Sequence, residues 1–281
     1  MVKRSRRKRT LRTKRNIGNC DLNRISGGEK VKNIIETKKL CKTFSNGGMQ
    51  QHVLKNIDLE IREGDFTVIM GASGAGKSTL LYALSGMDRP TLGEVIFCDK
   101  DITKMTPDEL ALFRRKYCGF VFQQTYLIDS MSVLDNVLCA GLLNGNDKKA
   151  VTKKACDILL SVDIKEALWE KFPTQISGGE AQRVGIARAL VNAPKMVFAD
   201  EPTGALNSQT GKDVLDAMTR FNDEGQSIVM VTHDITSARR GNRILYVKDG
   251  EIAGECELGS YVSGDKERHE KLRDFLTRMG W

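Results

Sequence analysis

A chain of 281 residues with 40% apolar content is long enough for one large domain, or one domain carrying an inserted lobe, around a substantial core. Its formal charge of +8 suggests nucleic acid, but residues 1–30 hold eleven Lys or Arg against two acids, so the basic signal belongs to the tail and the rest is near neutral. No apolar run approaches the roughly 20 residues that span a bilayer, and the basic start leads into polar residues, unlike a signal peptide.

The tail contains the pentapeptide ISGGE at Ile25–Glu29, which returns at Ile176–Glu180. From Lys32 the pattern becomes regular. NIIETKKL (33–40) reads as a strand, and VLKNIDLEI (53–61) alternates as a strand does at Ile57, Leu59 and Ile61. GDFTVIM (64–70) is nearly all apolar, as expected of a central strand covered on both faces. A glycine-rich loop and a helix follow it. GEVIFC (93–98) reads as a further strand with Gly93 as its turn residue. Thr106 and Pro107 open a helix as N-cap and first helical residue. Residues 129 to about 172 are mostly helical and are broken by the polar NGNDKK. With the helix after the second ISGGE, this lobe extends to about residue 190. KMVFAD (195–200) and SIVMVTHD (227–234) are buried strands, each behind an amphipathic helix. RILYVKDGEIAGEC (243–256) is two strands joined at Asp249-Gly250. Leu272, Phe275, Leu276 and Met279 share one face of a terminal helix expected to pack on the body. Seven scattered cysteines, without a CxxC pair or Cys/His cluster, read as reduced thiols and not as a disulfide framework or zinc site.

GASGAGKS (Gly71–Ser78) fits G-x-x-x-x-G-K-[ST], between an apolar strand and a helix. Such a loop aims backbone N–H groups at phosphate oxygens, and the helix behind it adds partial positive charge. Lys77 is placed to reach the β- and γ-phosphates and Ser78 to hold Mg²⁺. In KMVFADEP four apolar residues bring Asp200 to the carboxyl end of a strand, where it can orient Mg²⁺ through water. Glu201, next in the chain, can polarise the attacking water.

Together these segments resemble the nucleotide-binding subunit of an ATP-binding cassette (ABC) transporter over roughly residues 32–256. ISGGEAQRVGIARAL is similar to that family's signature motif, ADEPTGALN to its acidic motif and dimer loop, VTHD to its switch histidine, and GFVFQQTYLI to its glutamine loop. The resemblance implies an α/β fold. A P-loop core, with a mixed sheet flanked by helices and an N-terminal antiparallel β part, carries an inserted helical lobe, and residues 32–281 form the ATPase domain. It implies that ATP is bound by Gly71, Ser73, Gly74, Ala75, Gly76, Lys77, Ser78 and Thr79, with Phe44 stacked on adenine. Mg²⁺ falls to Ser78, Gln123 and Asp200, and catalysis to Glu201, His233, Lys77 and Gln123. Gln123 would contact the metal or the water and report to the membrane partner, and His233 would hold the γ-phosphate and the water. Ser177, Gly178 and Gly179 would bind the γ-phosphate of ATP held by the opposite subunit of a head-to-tail homodimer. Two positions depart from the pattern. Glu180 replaces the usual Gln, a side chain that points away from the phosphate in the family, and Asn207 replaces Asp, keeping the oxygen but losing the charge.

Within the family, GMDRPTLGEV, FRRKYCGFVFQ and EPTGALN resemble the branch of macrolide exporters, lipoprotein-release ATPases and antimicrobial-peptide resistance systems. The C-terminal part most resembles the peptide-resistance side. That implies a bacterial ATPase on the cytoplasmic face of the membrane, held by a separately encoded permease with a large extracellular portion. A coupling helix of the permease would dock between core and lobe near Gln123 to Asn136. The substrate is left open among antimicrobial peptide, lipoprotein and drug-like molecule, and a cell-division-type ABC ATPase regulating a permease-like partner is the alternative. Soluble ABC proteins of DNA repair or translation carry two cassettes or long coiled coils, and kinases and GTPases lack SGGE and VTHD. No specific nucleic-acid partner is expected. The first ISGGE has no helix behind it and is not expected to bind nucleotide. Its Gly-Gly-Glu can be written in purine-rich codons that resemble a ribosome-binding site, with Val31 as a GTG start. Residues 1–31 are therefore either a disordered basic tail that meets anionic lipid or RNA, or a leader read as protein.

Overall fold

The computed structural model describes residues 32–145 and 147–281; the basic tail, the first ISGGE and Val31 lie outside that range. A long hairpin, β1 (Asn33–Asn46) and β2 (Met49–Arg62), comes first, followed by the short apolar β3 (Phe66–Met70). The glycine loop leads into α1 (Lys77–Ser85), then β4 (Leu92–Phe97), β5 (Lys100–Asp101), α2 (Pro107–Tyr117) and β6 (Cys118–Phe122). Residues 123–195 hold α3 (Val133–Leu142), α4 (Lys148–Ser161), two short 3-10 turns and α5 (Gly178–Leu190). The chain then returns through β7 (Met196–Asp200), α6 (Ser208–Asp223), β8 (Ser227–Val231) and the one-turn α7 (Ile235–Ala238). It ends with β9 (Arg243–Lys248), β10 (Glu251–Glu257) and α8 (Lys266–Met279).

The strands form two sheets, an antiparallel one in the order β2-β1-β4-β5 and a six-stranded one in the order β10-β9-β3-β8-β7-β6. In the larger sheet only β10 runs antiparallel to its neighbour. Because side chains alternate across a strand, Phe66, Val68 and Met70 of β3 face a core shared with α3 to α6 and α8. Ile69 faces the opposite way, into a core shared with α1, α2 and the antiparallel sheet. Phe97 of β4 fills that second layer, with ring centroids 5.1 Å from Phe113 and 6.1 Å from Phe198. Burying such a ring stabilises the fold by about 1.5–3 kcal/mol.

Three local features differ from the sequence expectation. β1 runs on to Asn46, with register shifts around Leu40 and Lys42 that bend it along β2. β6 forms directly after α2 without a turn, because the alternation in CGFVF outweighs the missing breaker. Gly93 is not a turn residue. It lies inside β4 at φ 89°, where a Cβ would overlap the Lys38 and Lys39 carbonyls of β1.

The sheet sets up the chemistry by register. Phe122, Asp200, Val231, Ile69 and Leu245 form one row across β6, β7, β8, β3 and β9. The loops leaving these strands therefore open on a single edge, the carboxyl edge where parallel sheets place their ligands.

Candidate functional site

The loop after β3 is the first component. Gly76 has φ 101°, and a Cβ there would lie 2.9 Å from the Val53 carbonyl oxygen of β2, so only glycine allows this approach. α1 starts at Gly76 with no side-chain cap and no acid in its first turn. The other seven described α-helices are each capped by a side chain: Thr106, Ser132, Asp147, Ser177, Asn207, Asp234 or Asp265. The helix behind the glycine loop thus keeps its N–H groups and its partial positive charge free for an anion. Lys77 donates its Nζ to the carbonyls of Gly71 at 3.0 Å and Ala72 at 2.9 Å, which holds the ammonium over the loop. Burial lowers the Lys77 pKa, against the opposing pull of Glu201 and Asp200.

At the end of β7, Asp200 takes a hydrogen bond from Ser78 Oγ at 3.0 Å on Oδ1 and from Tyr82 Oη at 2.7 Å on Oδ2. Ser78 and Tyr82 lie one turn apart on α1, so both carboxylate oxygens are tied to the helix that carries the phosphate loop. Burial first, and then the bond to Asp200, push the Tyr82 phenol up to about 12. Tyr82 is a component the sequence reading missed. Its only signal is the spacing of four from Ser78, inside an apolar stretch where a tyrosine reads as core.

Glu201 follows with a left-handed backbone, φ 49°, and its N–H donates to the Val231 carbonyl at 3.0 Å. That twist turns its carboxylate toward the loop after β8, where His233 Nδ1 lies 2.8 Å from Oε1. An ionised carboxylate can only accept, so Nδ1 donates. The Glu201 side chain is 18% exposed and that of His233 68%. Behind His233, Asp234 caps α7 through the Thr236 N–H at 3.0 Å and the Ser237 N–H at 2.8 Å. Burial pushes the Asp234 carboxyl up, but bonds from Ser237 and Thr236 outweigh it and leave it below the usual range. Ser237 Oγ also lies 3.1 Å from Thr203 Oγ1, a second link between these loops that the sequence did not reveal.

Gln123 joins this group. With Ser78, Tyr82, Asp200 and Glu201 it lines a cavity of about 450 Å³, and a Cβ on Gly204 would sit 2.9 Å from its Nε2. Phe44 pairs with Gln51 across the β1–β2 hairpin, and Gln51 borders a cavity of about 390 Å³ together with Ser73, Gly74 and Ala75 of the phosphate loop. Phe44 is 44% exposed near the end of the β1–β2 hairpin, with Lys42 Nζ 4.9 Å from its ring. Ser177, Gly178 and Gly179 start α5 in the helical part, and none of them lines the two cavities, of about 390 and 450 Å³, that border the glycine loop and Ser78. Gly179 packs so closely on α6 that a Cβ would overlap Thr210. Glu180 reaches back to Ser177. Its Oε2 accepts from the Ser177 N–H and Oγ at 2.7 Å each, a capping box, and these bonds hold its carboxyl below the usual range. Asn207 caps α6, its oxygen accepting from Thr210 N–H at 3.0 Å, so the oxygen kept at this position is used within the chain.

Between the core and the helical part lies a groove of about 530 Å³, lined by Arg114, Gly119, Phe122, Tyr126, Leu143 and Arg188 among others. Arg188 supports its wall by donating to the carbonyls of Thr125 at 2.5 Å and Tyr126 at 2.6 Å. Asn136 is not part of the groove. It is 2% exposed and braces the loop by accepting from Ile128 N–H and donating to the Met131 carbonyl. Among the described residues, no helix is long and apolar enough to cross a membrane.

A mixed sheet with a phosphate loop, a strand-end Asp-Glu pair and a histidine at one edge defines a P-loop nucleotide-binding protein. Residues 54–204 match the family model for ABC transporters. The chain is 41% identical over 252 residues to the ABC transporter ATP-binding protein MJ0796 of Methanocaldococcus jannaschii, covering 87% of this chain and all of that one. A solved dimer of that cassette in a post-hydrolysis state, bound to ADP and Pi, superposes with a TM-score of 0.75 at 40% identity, over 81% of this chain and 100% of the other. The bacitracin export ATP-binding protein BceA of Halalkalibacterium halodurans is 36% identical over 88% of this chain and 96% of its own length. The macrolide export ATP-binding/permease protein MacB of Escherichia coli is 40% identical over 80% of this chain, which spans only 35% of that protein. The chain belongs to the ABC transporter family. It is an ATP-binding, ATP-hydrolysing subunit of a transporter, of a kind whose cassettes form dimers.

Proposed function

We propose that this chain is the motor of an exporter whose permease is a separate protein, working as a head-to-tail dimer with two ATP molecules between its copies. The observation that carries the reading is the pairing of Glu201 with His233 at 2.8 Å, next to Asp200 and Lys77, while Ser177–Gly179 sit on another part of the chain. A signature segment that does not face its own phosphate loop is suited to close over that of a second copy.

In this reading the α1 N–H groups, Lys77, Ser73 and Thr79 bind the phosphates, and Phe44 stacks on the base. Glu201 takes a proton from the attacking water. His233, held by Glu201, keeps the water and the γ-phosphate aligned, which is a gain of position more than of acidity. The donor set of Ser78 Oγ, Asp200 carboxylate and Gln123 amide is all oxygen, which suits Mg²⁺. When bound, Mg²⁺ would neutralise charge building on the phosphate oxygens. Binding of ATP closes the dimer and hydrolysis reopens it, and the permease converts that motion to work.

Two named relatives, a bacitracin export protein and a macrolide exporter, support an antimicrobial peptide or a drug-like molecule as the cargo, with lipoprotein as a further candidate. The permease would carry a large extracellular portion and hold the chain at the cytoplasmic face of the membrane, with its coupling helix in the groove beside Tyr126 and Leu143.

The test is Glu201→Gln. The variant is expected to bind ATP with unchanged affinity, to lose at least about 99% of turnover, and to run at twice its mass on size exclusion with ATP. Turnover at the wild-type rate removes Glu201 from the role of base, and a monomer at saturating ATP removes the dimer.

A further inference from the structure

Asp200 is restrained more tightly than a metal-orienting carboxylate needs to be by its serine partner alone. Ser78 Oγ reaches Oδ1 at 3.0 Å, and Tyr82 Oη reaches Oδ2 at 2.7 Å from the next turn of α1. The two donors grip opposite oxygens, so the carboxylate cannot rotate about its last bond without losing one of them. The cavity that Asp200 faces is large, about 450 Å³, and is bordered by Gln123 and Glu201 as well as by Ser78 and Tyr82. Without the phenol, Oδ2 would lose the one donor it has among the described residues, and the plane of the carboxylate would be free to turn.

The two bonds differ in what nucleotide binding asks of them. The Ser78 hydroxyl has a second task as a metal ligand, so its bond to Oδ1 must adjust. The Tyr82 hydroxyl has no such second task in this assignment, so its bond to Oδ2 can persist throughout. One bond changes and the other acts as the hinge pin.

We infer that Tyr82 is a positioning residue of the metal site, holding Asp200 in the orientation from which it receives nucleotide-bound Mg²⁺. The inference rests on the proposed assignment of Ser78 and Asp200 to that metal. A charge-assisted bond from a phenol to a carboxylate is among the stronger neutral-to-ionic contacts, and its loss from a partly buried acid is felt as roughly tenfold in an equilibrium constant. Phe at position 82 keeps the ring and its packing while removing only the donor.

The experiment measures binding of a fluorescent ADP analogue to the full chain, first in EDTA and then along a Mg²⁺ titration, for wild type, Tyr82→Phe and Asp200→Asn. ADP excludes turnover and ATP-driven dimerisation from the readout. For Tyr82→Phe the expected result is an affinity in EDTA within about twofold of wild type, with the Mg²⁺ midpoint raised roughly tenfold. Asp200→Asn should raise that midpoint at least as far. If Asp200→Asn moves the midpoint and Tyr82→Phe leaves it in place, the phenol is packing and the inference is overturned while the metal assignment stands. If neither wild type nor Asp200→Asn responds to Mg²⁺, the metal assignment itself falls and the role of Tyr82 falls with it. A loss of affinity in EDTA equal to the loss in Mg²⁺ also overturns the inference, since it marks general damage to the loop.

Discussion

Gly179 sits so close to α6 that one methyl group on its Cα would overlap the Thr210 side chain. Gly179→Ala is therefore expected to shift the start of α5 away from the loop of Asn207, at about 1–3 kcal/mol of stability for the overpacked contact. ATP should still bind to single chains, because the phosphate loop is untouched, but the dimer of the Glu201→Gln background should be lost on size exclusion. Adding Thr210→Ser removes the blocking methyl and keeps a hydroxyl for Asn207, so it should restore the dimer. A Gly179→Ala chain that dimerises normally would show the tight contact to be irrelevant. At this scale the residues most legible in the sequence were those in contiguous words, such as GASGAGKS and ADEP, which follow β3 and end β7 at one edge of the larger sheet. Tyr82 escaped because its partner lies 118 positions away in the chain. The contact of Glu180 with Ser177 went unread because it depends on the helix start and not on the motif.

The helix start at Thr106-Pro107 was legible in the sequence, and the start at Ser177 uses the same device. Thr106 with Glu109 and Ser177 with Glu180 both form complete capping boxes, each from a hydroxyl three residues before an acid. The second box has a pH signature. Ser177 holds the Glu180 carboxyl below its ordinary range, so the ionised acid stabilises α5 above that range, and the contribution is lost as pH falls through the lowered value. Glu180→Ala should therefore melt earlier than wild type at neutral pH, and the gap should narrow as the pH is taken down through and below the ordinary glutamate range. A gap of constant size across that window would mean the carboxylate does not cap the helix in solution. Sheet partners were less legible. Nothing in GEVIFC says that it pairs with the first hairpin instead of the central sheet, because pairing is decided by the bend that Gly93 permits against β1. The anchoring of α8 was half visible. Its apolar face was plain, but Arg268, 4% exposed, also donates to the Arg239, Leu258, Gly259, Ser260 and Gly241 carbonyls, and no local pattern reveals acceptors scattered over that many turns.

For the molecule as a whole, the groove between core and helical part is the surface proposed to meet the permease. Its wall is shared with the metal-side cavity, since Phe122 and Tyr126 border both. Leu143, 58% exposed, lines the groove and neither of the cavities bordered by the phosphate loop and Asp200. Leu143→Glu is expected to abolish co-purification with a permease from detergent-solubilised membranes while ATP binding stays within about twofold, as an exposed apolar anchor contributes about 1–3 kcal/mol to an interface. Retention of the partner by that variant would move the docking site elsewhere, and capture of ribosomes or DNA by the wild type would overturn the transport reading. The single row from Phe122 to Leu245 has a wider effect. Every loop that leaves a strand along it must end at a fixed place, whereas Gly64 and Gly225 turn into β3 and β8 on the opposite rim with open space around them. The sheet thereby has a conservative side and a permissive side, and changes of loop length over evolutionary time can accumulate where the chain enters the strands without disturbing the rim where it departs.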